Sequence, residues 1–346
     1  MIPEAYQAIL DSYRPRLIPL EENLTAAVFP FMKIFPAEFC MRRAREEGWI
    51  NAQSLIVETS SGNMALGLAL VCRLAGHRLT IVSDRACEGF LKRRLEDLGA
   101  RVEIVSGPEA EGGCRRERLD RLAEIREESP DHFWVNQYDN PGNPGAYSFL
   151  AAQVVESLGQ IDFLVATVGS GGSACGTAGY LREIFPELRT IGIDTFGSVL
   201  FGQPDGSRKL RGLGNSVLPK NLDHRIFDEI HWVTAAEACT ATRMLHRETA
   251  LFCGGTSGAA WMVARHIAQK NPKARVVCLF PDDGHRYAGT IYNDEYLWSE
   301  NLWLPELTAA PREVFHPLEG GPNWSFLRWN RRSHAEVTRP SISAAV

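Results

Sequence analysis

Lysine is scarce in this chain of 346 residues: of its 37 basic residues only Lys33, Lys92, Lys209, Lys220, Lys270 and Lys273 are lysine. Chemistry that needs a primary amine therefore has few candidates. The eight cysteines contain no C-x-x-C pair, which removes the usual zinc and dithiol signatures. Cys72, Cys253 and Cys278 lie inside apolar runs and read as reduced core residues of a cytoplasmic protein. Long apolar runs are missing as well: the longest helical one, Met64 to Leu74, holds Arg73 and is too short to span a bilayer. The start, Met1-Ile2-Pro3-Glu4-Ala5-Tyr6, has an early acid and no apolar core, so no secretory signal is expected. A net charge of −5 gives no reason to expect nucleic acid or an anionic membrane as partner. The histidines form no ligand-like cluster, and no metal is expected.

What is present is the grammar of an α/β protein. Three times an apolar run breaks into a small-residue loop and resumes with helical spacing: Ser60-Ser61-Gly62-Asn63, Gly169-Ser170-Gly171-Gly172-Ser173 and Gly254-Gly255-Thr256-Ser257-Gly258. Each is followed, a helix length later, by another β-branched run: Leu79 to Val82, Thr190 to Ile193 and Arg275 to Phe280. Such loops are where α/β proteins hold ligands. The length implies two domains, and the turn-rich stretch Asn136-Gln137-Tyr138-Asp139-Asn140-Pro141-Gly142-Asn143-Pro144 reads as their connection. Periodicity places helices over 64–75, 115–128, 148–158 and 174–185, and strands over 55–57, 163–167 and 190–194. Residues 1–30, with four prolines, read as a wrapping segment without a core of its own, and the chain from about 320 as a loosely ordered tail.

The loop Gly169-Ser170-Gly171-Gly172-Ser173-Ala174 supports two readings. It fits the G-x-G-x-x-[GA] dinucleotide fingerprint, with Asp194 ending the following strand, so a nicotinamide-dependent dehydrogenase is a serious rival. It equally suits a smaller phosphate ester, because side-chain-poor residues let backbone N–H groups converge at a helix N-terminus. Other segments bear on the choice. Loop 60–63 offers hydroxyls and an amide suited to a carboxylate or an aromatic hydroxyl, and Thr256 or Ser257 offers a neutral hydroxyl. Lys33 stands in the apolar run Phe29-Pro30-Phe31-Met32-Lys33-Ile34-Phe35-Pro36, where burial would favour a nucleophilic amine. The plainer alternative is a lysine whose stem packs on apolar surface while its amine reaches water. Pyridoxal phosphate is the ligand that uses phosphate loop, amide loop, hydroxyl loop and lysine together.

These segments, in this order and spacing over roughly residues 15 to 298, resemble the cysteine synthase and cystathionine β-synthase family of pyridoxal-phosphate enzymes, fold type II. The carrying residues are Lys33, Gly48, Glu58-Thr59-Ser60-Ser61-Gly62-Asn63, Val168-Gly169-Ser170-Gly171-Gly172-Ser173, Gly255-Thr256-Ser257-Gly258-Ala259 and Pro281-Asp282-Asp283-Gly284-His285-Arg286-Tyr287. The resemblance implies a tryptophan synthase β-like fold of two three-layer α/β/α domains with mostly parallel sheets. Residues 36–145 would form a smaller substrate-carboxylate domain, 1–35 with 146–320 a larger cofactor-phosphate domain, and 321–346 a C-terminal tail. A homodimer acting on small amino acids is implied as well.

The resemblance also implies roles. Lys33 would carry pyridoxal 5'-phosphate as a Schiff base and move the substrate α-proton, with Asn63, Gly169, Ser170, Gly171, Gly172, Ser173 and Thr256 holding the cofactor. Ser60, Ser61, Gly62 and Gln137 would hold the substrate carboxylate, with Arg211 and Gly212 near its side chain. The chain departs from the family where a Ser-x-Lys-Asp-Arg run is usual: it has Phe31-Met32-Lys33-Ile34-Phe35, which implies a rebuilt lysine pocket or lost activity. Met64 likewise replaces a common threonine. The expected reaction is β-replacement through an aminoacrylate on an activated serine such as O-phospho-L-serine, with an amine nucleophile such as L-glutamate, in siderophore or diaminopropionate-type biosynthesis. Sulfur transfer of the cysteine synthase type, a dehydrogenase and a non-catalytic homologue are the alternatives.

Overall fold

The computed structural model describes residues 3–87, 89–107 and 115–339. Its strands are β1 Arg16–Glu21, β2 Leu24–Val28, β3 Leu55–Thr59, β4 Arg78–Ser83, β5 Arg101–Ile104, β6 His132–Trp134, β7 Phe163–Thr167, β8 Arg189–Thr195, β9 Glu229–Val233, β10 Val276–Phe280, β11 Arg312–Glu313 and β12 Ser325–Arg328. They form a four-stranded sheet, β5-β4-β3-β6, and an eight-stranded one, β1-β2-β10-β7-β8-β9-β12-β11. The smaller sheet is wholly parallel, and so is the run β2-β10-β7-β8-β9 of the larger. Their strands read as near-continuous apolar runs because helices cover both faces.

Around the small sheet, the helices Ile34–Glu46, Asn63–Ala75 and Gly89–Asp97 bury Met41, Leu68 and Leu91 against Ile56 and Ile81. The helix Arg115–Glu128 sets Leu122 and Ile125 on the opposite face against Val57 and Val82. In the large sheet, Ser148–Leu158 and Gly172–Ile184 pack on one side, and Ala235–Thr249 with Gly255–Lys270 on the other. The result is an α/β fold with a three-layer arrangement about each sheet.

Two expectations need correction. Residues 1–30 do contribute core: β2 pairs in parallel with β10, Leu24 opposite Val276 through Val28 opposite Phe280, and Leu24, Ala26 and Ala27 are fully buried. The segment after residue 320 is likewise ordered through residue 339, with β12 antiparallel to β9 and with Trp324, Leu327 and Trp329 buried. Both strands are short, and the partners that bring them into the large sheet, β10 and β9, are remote in sequence, so local periodicity carries little of the signal. The stretch 203–223 holds no strand or α-helix, and β9 and the helix Ala235–Thr249 precede the third glycine loop. That helix starts with a Thr234–Glu237 capping box, a local signal in the sequence.

Among the described residues, no helix is long and apolar enough to cross a membrane, and no His, Cys, Asp and Glu group could hold a metal. The described cysteines are all free and buried.

Candidate active site

Parallel strands deliver their following loops to one edge, and the C-terminal edges of both sheets open onto one cavity of about 710 Å³. β3 leads into loop 60–63, β7 into loop 169–173, and β10 into Pro281-Asp282. The chain leaving β2 runs beside the chain leaving β10: Met32 N–H donates to Pro281 O at 2.8 Å, and Phe31 bridges Asp282. Lys33 is thereby carried to the cavity at the head of the helix Ile34–Glu46.

Lys33 is half-buried, its exposed part facing the cavity, and Nζ lies 3.5 Å from Ser170 Oγ. Burial pushes its ammonium down to about 8, with Cys40 and Glu58 pulling the other way. Its neighbours in sequence, Phe31, Met32 and Ile34, are themselves buried. The free amine therefore increases as pH rises through about 8. Capture of an aldehyde by the apoprotein should follow it, increasing toward a plateau above pH 8; stopped-flow absorbance read across pH 6–10 checks this, and a midpoint near the ordinary lysine value of 10.5 would contradict it.

The helices Gly172–Ile184 and Gly255–Lys270 begin with Gly171 and Gly254 as caps, neither with a side-chain hydrogen bond. In the second, Ser257 N–H already donates to Gly254 O at 3.0 Å; a glycine-capped first turn such as that of Gly172–Ile184 suits an anion. Gly169, Ser170 and Ser173 line the cavity, whereas Gly171 and Gly172 do not. Those two glycines answer to packing. Gly171 has φ +80°, and a Cβ there would sit 2.8 Å from Leu222 Cα; one on Gly172 would sit 2.2 Å from Asn143 Oδ1. Thr256 lines the cavity and Ser257 does not, so Thr256 is the hydroxyl presented at the third loop.

At the small-sheet loop, Ser60, Ser61, Gly62 and Asn63 all face the cavity, as do Gln137, Arg211 and Gly212. Ser60 Oγ accepts from the N–H groups of Gly62 and Ala65, both at 3.3 Å, which caps the following helix and leaves its hydroxyl proton to donate. Arg211 donates to Ser61 Oγ at 3.3 Å, joining the loop after β8 to the loop after β3.

Several residues that sequence reasoning missed hold this arrangement. Glu58 is buried and accepts from Thr59 N–H at 2.7 Å, Gln137 N–H at 3.1 Å and Trp134 Nε1 at 3.3 Å. Burial pushes its carboxyl up to about 7 against those bonds. Asn143 donates to Gln137 O at 2.6 Å and to Ser170 Oγ at 3.2 Å, tying the carboxylate and phosphate segments together. Its place in a run of turn formers hid it. Arg118 also lines the cavity, 3.4 Å from Asp84. Asp194 is fully buried and off the cavity wall, with Thr195 N–H donating to it. It is no ribose-binding acid, and the dinucleotide reading loses its second element.

The donor set fits a phosphorylated aldehyde cofactor: an amine of lowered pKa, a glycine-capped helix N-terminus with Ser170 and Ser173, and the neutral hydroxyl of Thr256 share one cavity. A lysine at the junction of two α/β sheets, facing a phosphate cup, defines a pyridoxal-phosphate enzyme of fold type II. Residues 30–282 match the family described as pyridoxal-phosphate dependent enzyme, and the chain belongs to it. It is 36% identical over 284 residues to an N-(2-amino-2-carboxyethyl)-L-glutamate synthase of Cupriavidus metallidurans, covering 80% of this chain and 83% of that protein. The synthase of the same name from Ralstonia nicotianae is 35% identical over 265 residues, or 76% and 78% of the two chains. Among solved structures, the O-acetylserine-dependent cystathionine β-synthase of Helicobacter pylori superposes with a TM-score of 0.72 at 28% identity, over 82% of this chain and 94% of that one. The chain is thus a pyridoxal-phosphate enzyme of the β-replacement type, and the dehydrogenase and non-catalytic alternatives fall away.

Proposed function

We propose that the chain joins O-phospho-L-serine to L-glutamate by β-replacement, the amine of glutamate displacing phosphate. The observation that carries this reading is charge. The cavity wall holds Arg85, Arg118, Arg208, Arg211 and Arg286 against Asp84 and Asp282, in a chain whose net charge is −5. A cleft of local positive charge concentrates anionic substrates, and a phosphorylated amino acid and a dicarboxylic amino acid both qualify. The names of the two bacterial relatives support the same product class.

When bound, pyridoxal phosphate supplies the electron sink that makes an amino-acid α-proton removable. Gly169, Ser170 and Ser173 would cradle its phosphate, on a turn that the glycines at 171 and 172 allow. The Thr256 hydroxyl, a neutral group on the cavity wall, would face the pyridine nitrogen without protonating it, which would favour elimination over transamination. Lys33 Nζ takes the α-proton, as an amine that burial brings down to about 8 can near neutral pH. Ser60, Ser61, Gly62 and Gln137 hold the α-carboxylate, and Arg211 beside Gly212 receives the departing phosphate. The reaction would serve siderophore or diaminopropionate-type biosynthesis, with the chain acting as a cytoplasmic homodimer.

The test pairs O-phospho-L-serine, O-acetyl-L-serine and L-serine with glutamate or sulfide and identifies products by mass spectrometry. Phosphate release with glutamate addition is expected. Arg211→Met should raise KM for O-phosphoserine about tenfold, the worth of one charge-assisted hydrogen bond, and leave that for O-acetylserine nearly unchanged. Product from sulfide alone would overturn the amine nucleophile.

A further inference from the structure

We propose that Arg286 and Asp282 are positioning residues that fix the polarity of the Asn63 amide, so that the chain offers an N–H group to the phenolic oxygen of its cofactor. Asn63 heads the helix that follows the small-sheet strand β3, whereas Asp282 and Arg286 follow β10 of the large sheet. All three line the cavity. Arg286 donates to Asn63 Oδ1 at 2.7 Å, and Asn63 Nδ2 donates to Asp282 Oδ2 at 2.7 Å.

The orientation follows from donor inventory. A guanidinium has no acceptor, so the atom it meets must be the amide oxygen, whatever the protonation state of Asp282. Asp282 then takes one of the two amide hydrogens, and the other is left to the cavity that Asn63 lines. Asp282 is itself held firmly. Tyr287 donates to its Oδ2 at 2.7 Å, its backbone bridges Phe31 two residues before Lys33, and Gly254 N–H donates to its carbonyl at 3.2 Å. Its carboxylate also fills the space of a missing side chain: a Cβ on Gly254 would lie 2.3 Å from Asp282 Oδ1. Residue 254 is glycine at the cap of the third loop, and the carboxylate sits where that loop, the lysine segment and the amide loop meet.

An N–H aimed at the phenolic oxygen stabilises its ionised form, and a carbonyl oxygen aimed there would oppose it. The two forms absorb in different regions, phenolate in the visible and phenol in the near ultraviolet, so the amide's polarity has a readout independent of turnover.

The inference rests on the reading in which Lys33 carries the cofactor. The experiment records absorbance spectra of cofactor-loaded wild type, Asp282→Ala, Arg286→Leu, Asp282→Asn and Arg286→Lys, with melting curves alongside. Arg286 is partly exposed, so its variants remain foldable if Asp282→Ala does not. The expected result is a shift of about tenfold toward the near-ultraviolet band in Asp282→Ala and Arg286→Leu, the size of one charged hydrogen bond. Asp282→Asn and Arg286→Lys, which keep an acceptor and a donor, should stay within about twofold. A wild type with no visible band would fail the Lys33 reading. A wild-type band that persists unshifted in a folded Arg286→Leu variant would overturn the positioning role alone.

Discussion

Lys33→Ala is expected to bind pyridoxal phosphate without the visible absorption band of a lysine adduct and to lose at least about a thousandfold in kcat, within the span of a lost general base. The reason is both positional and chemical. Among the described residues, Lys33 is the one lysine on the cavity wall, and Nζ stands 3.5 Å from Ser170 Oγ in the phosphate cup. Its neighbours Phe31, Met32 and Ile34 are buried and apolar, and burial brings the amine down to about 8. Lys33→Arg keeps a cation but no nucleophile, and it should behave like the alanine variant. Absorbance spectra of the loaded proteins with steady-state turnover check both statements, and a visible band surviving in either variant would contradict them.

Gly67→Ala is expected to destabilise the protein by about 1–3 kcal/mol and to impair cofactor loading, although alanine is the better helix former by up to about 1 kcal/mol. Gly67 lies in the interior of the helix Asn63–Ala75, where it packs on the lysine segment. A Cβ there would fall 2.5 Å from the Lys33 carbonyl oxygen and 2.9 Å from its carbon, both backbone atoms that no rotamer change can move aside. The helix or the Lys33 segment must shift, and the amine shifts with it. The contact also explains why a glycine occurs in the middle of a helix that carries the amide loop. Urea denaturation midpoints and the intensity of the visible band measure the two effects; a variant as stable and as well loaded as wild type would refute the contact.

The local grammar of the chain was legible where period and punctuation agree. The helices Arg115–Glu128 and Ser148–Leu158 and the strand Phe163–Thr167 fall where spacing places them. The cavity-facing residues of the three loops could be read for the same reason, since each loop interrupts a periodic run with small residues. Contacts set by distant chain segments were not legible. Asn63 and Asp282 are 219 positions apart, and Gln137 and Glu58 are 79 apart. Nothing near Glu58 announces that its carboxylate is buried, because two of its three donors, Trp134 and Gln137, come from another strand and from a turn. β12 is a similar case: Trp324 and Leu327 gain meaning only once Trp232 and Ile230 of β9 lie opposite Ser325 and Leu327. Gly171 and Gly172 show a demand that a fingerprint does not carry, since packing against Leu222 and Asn143 requires glycine at both positions in its own right.

Borohydride reduction of the protein incubated with pyridoxal phosphate, followed by peptide mapping, tests the central claim most directly, because reduction fixes the cofactor to whichever amine holds it. The pyridoxyl group is predicted on Lys33 alone; a label on Lys209, Lys220 or any other lysine, or none at all, would contradict the account.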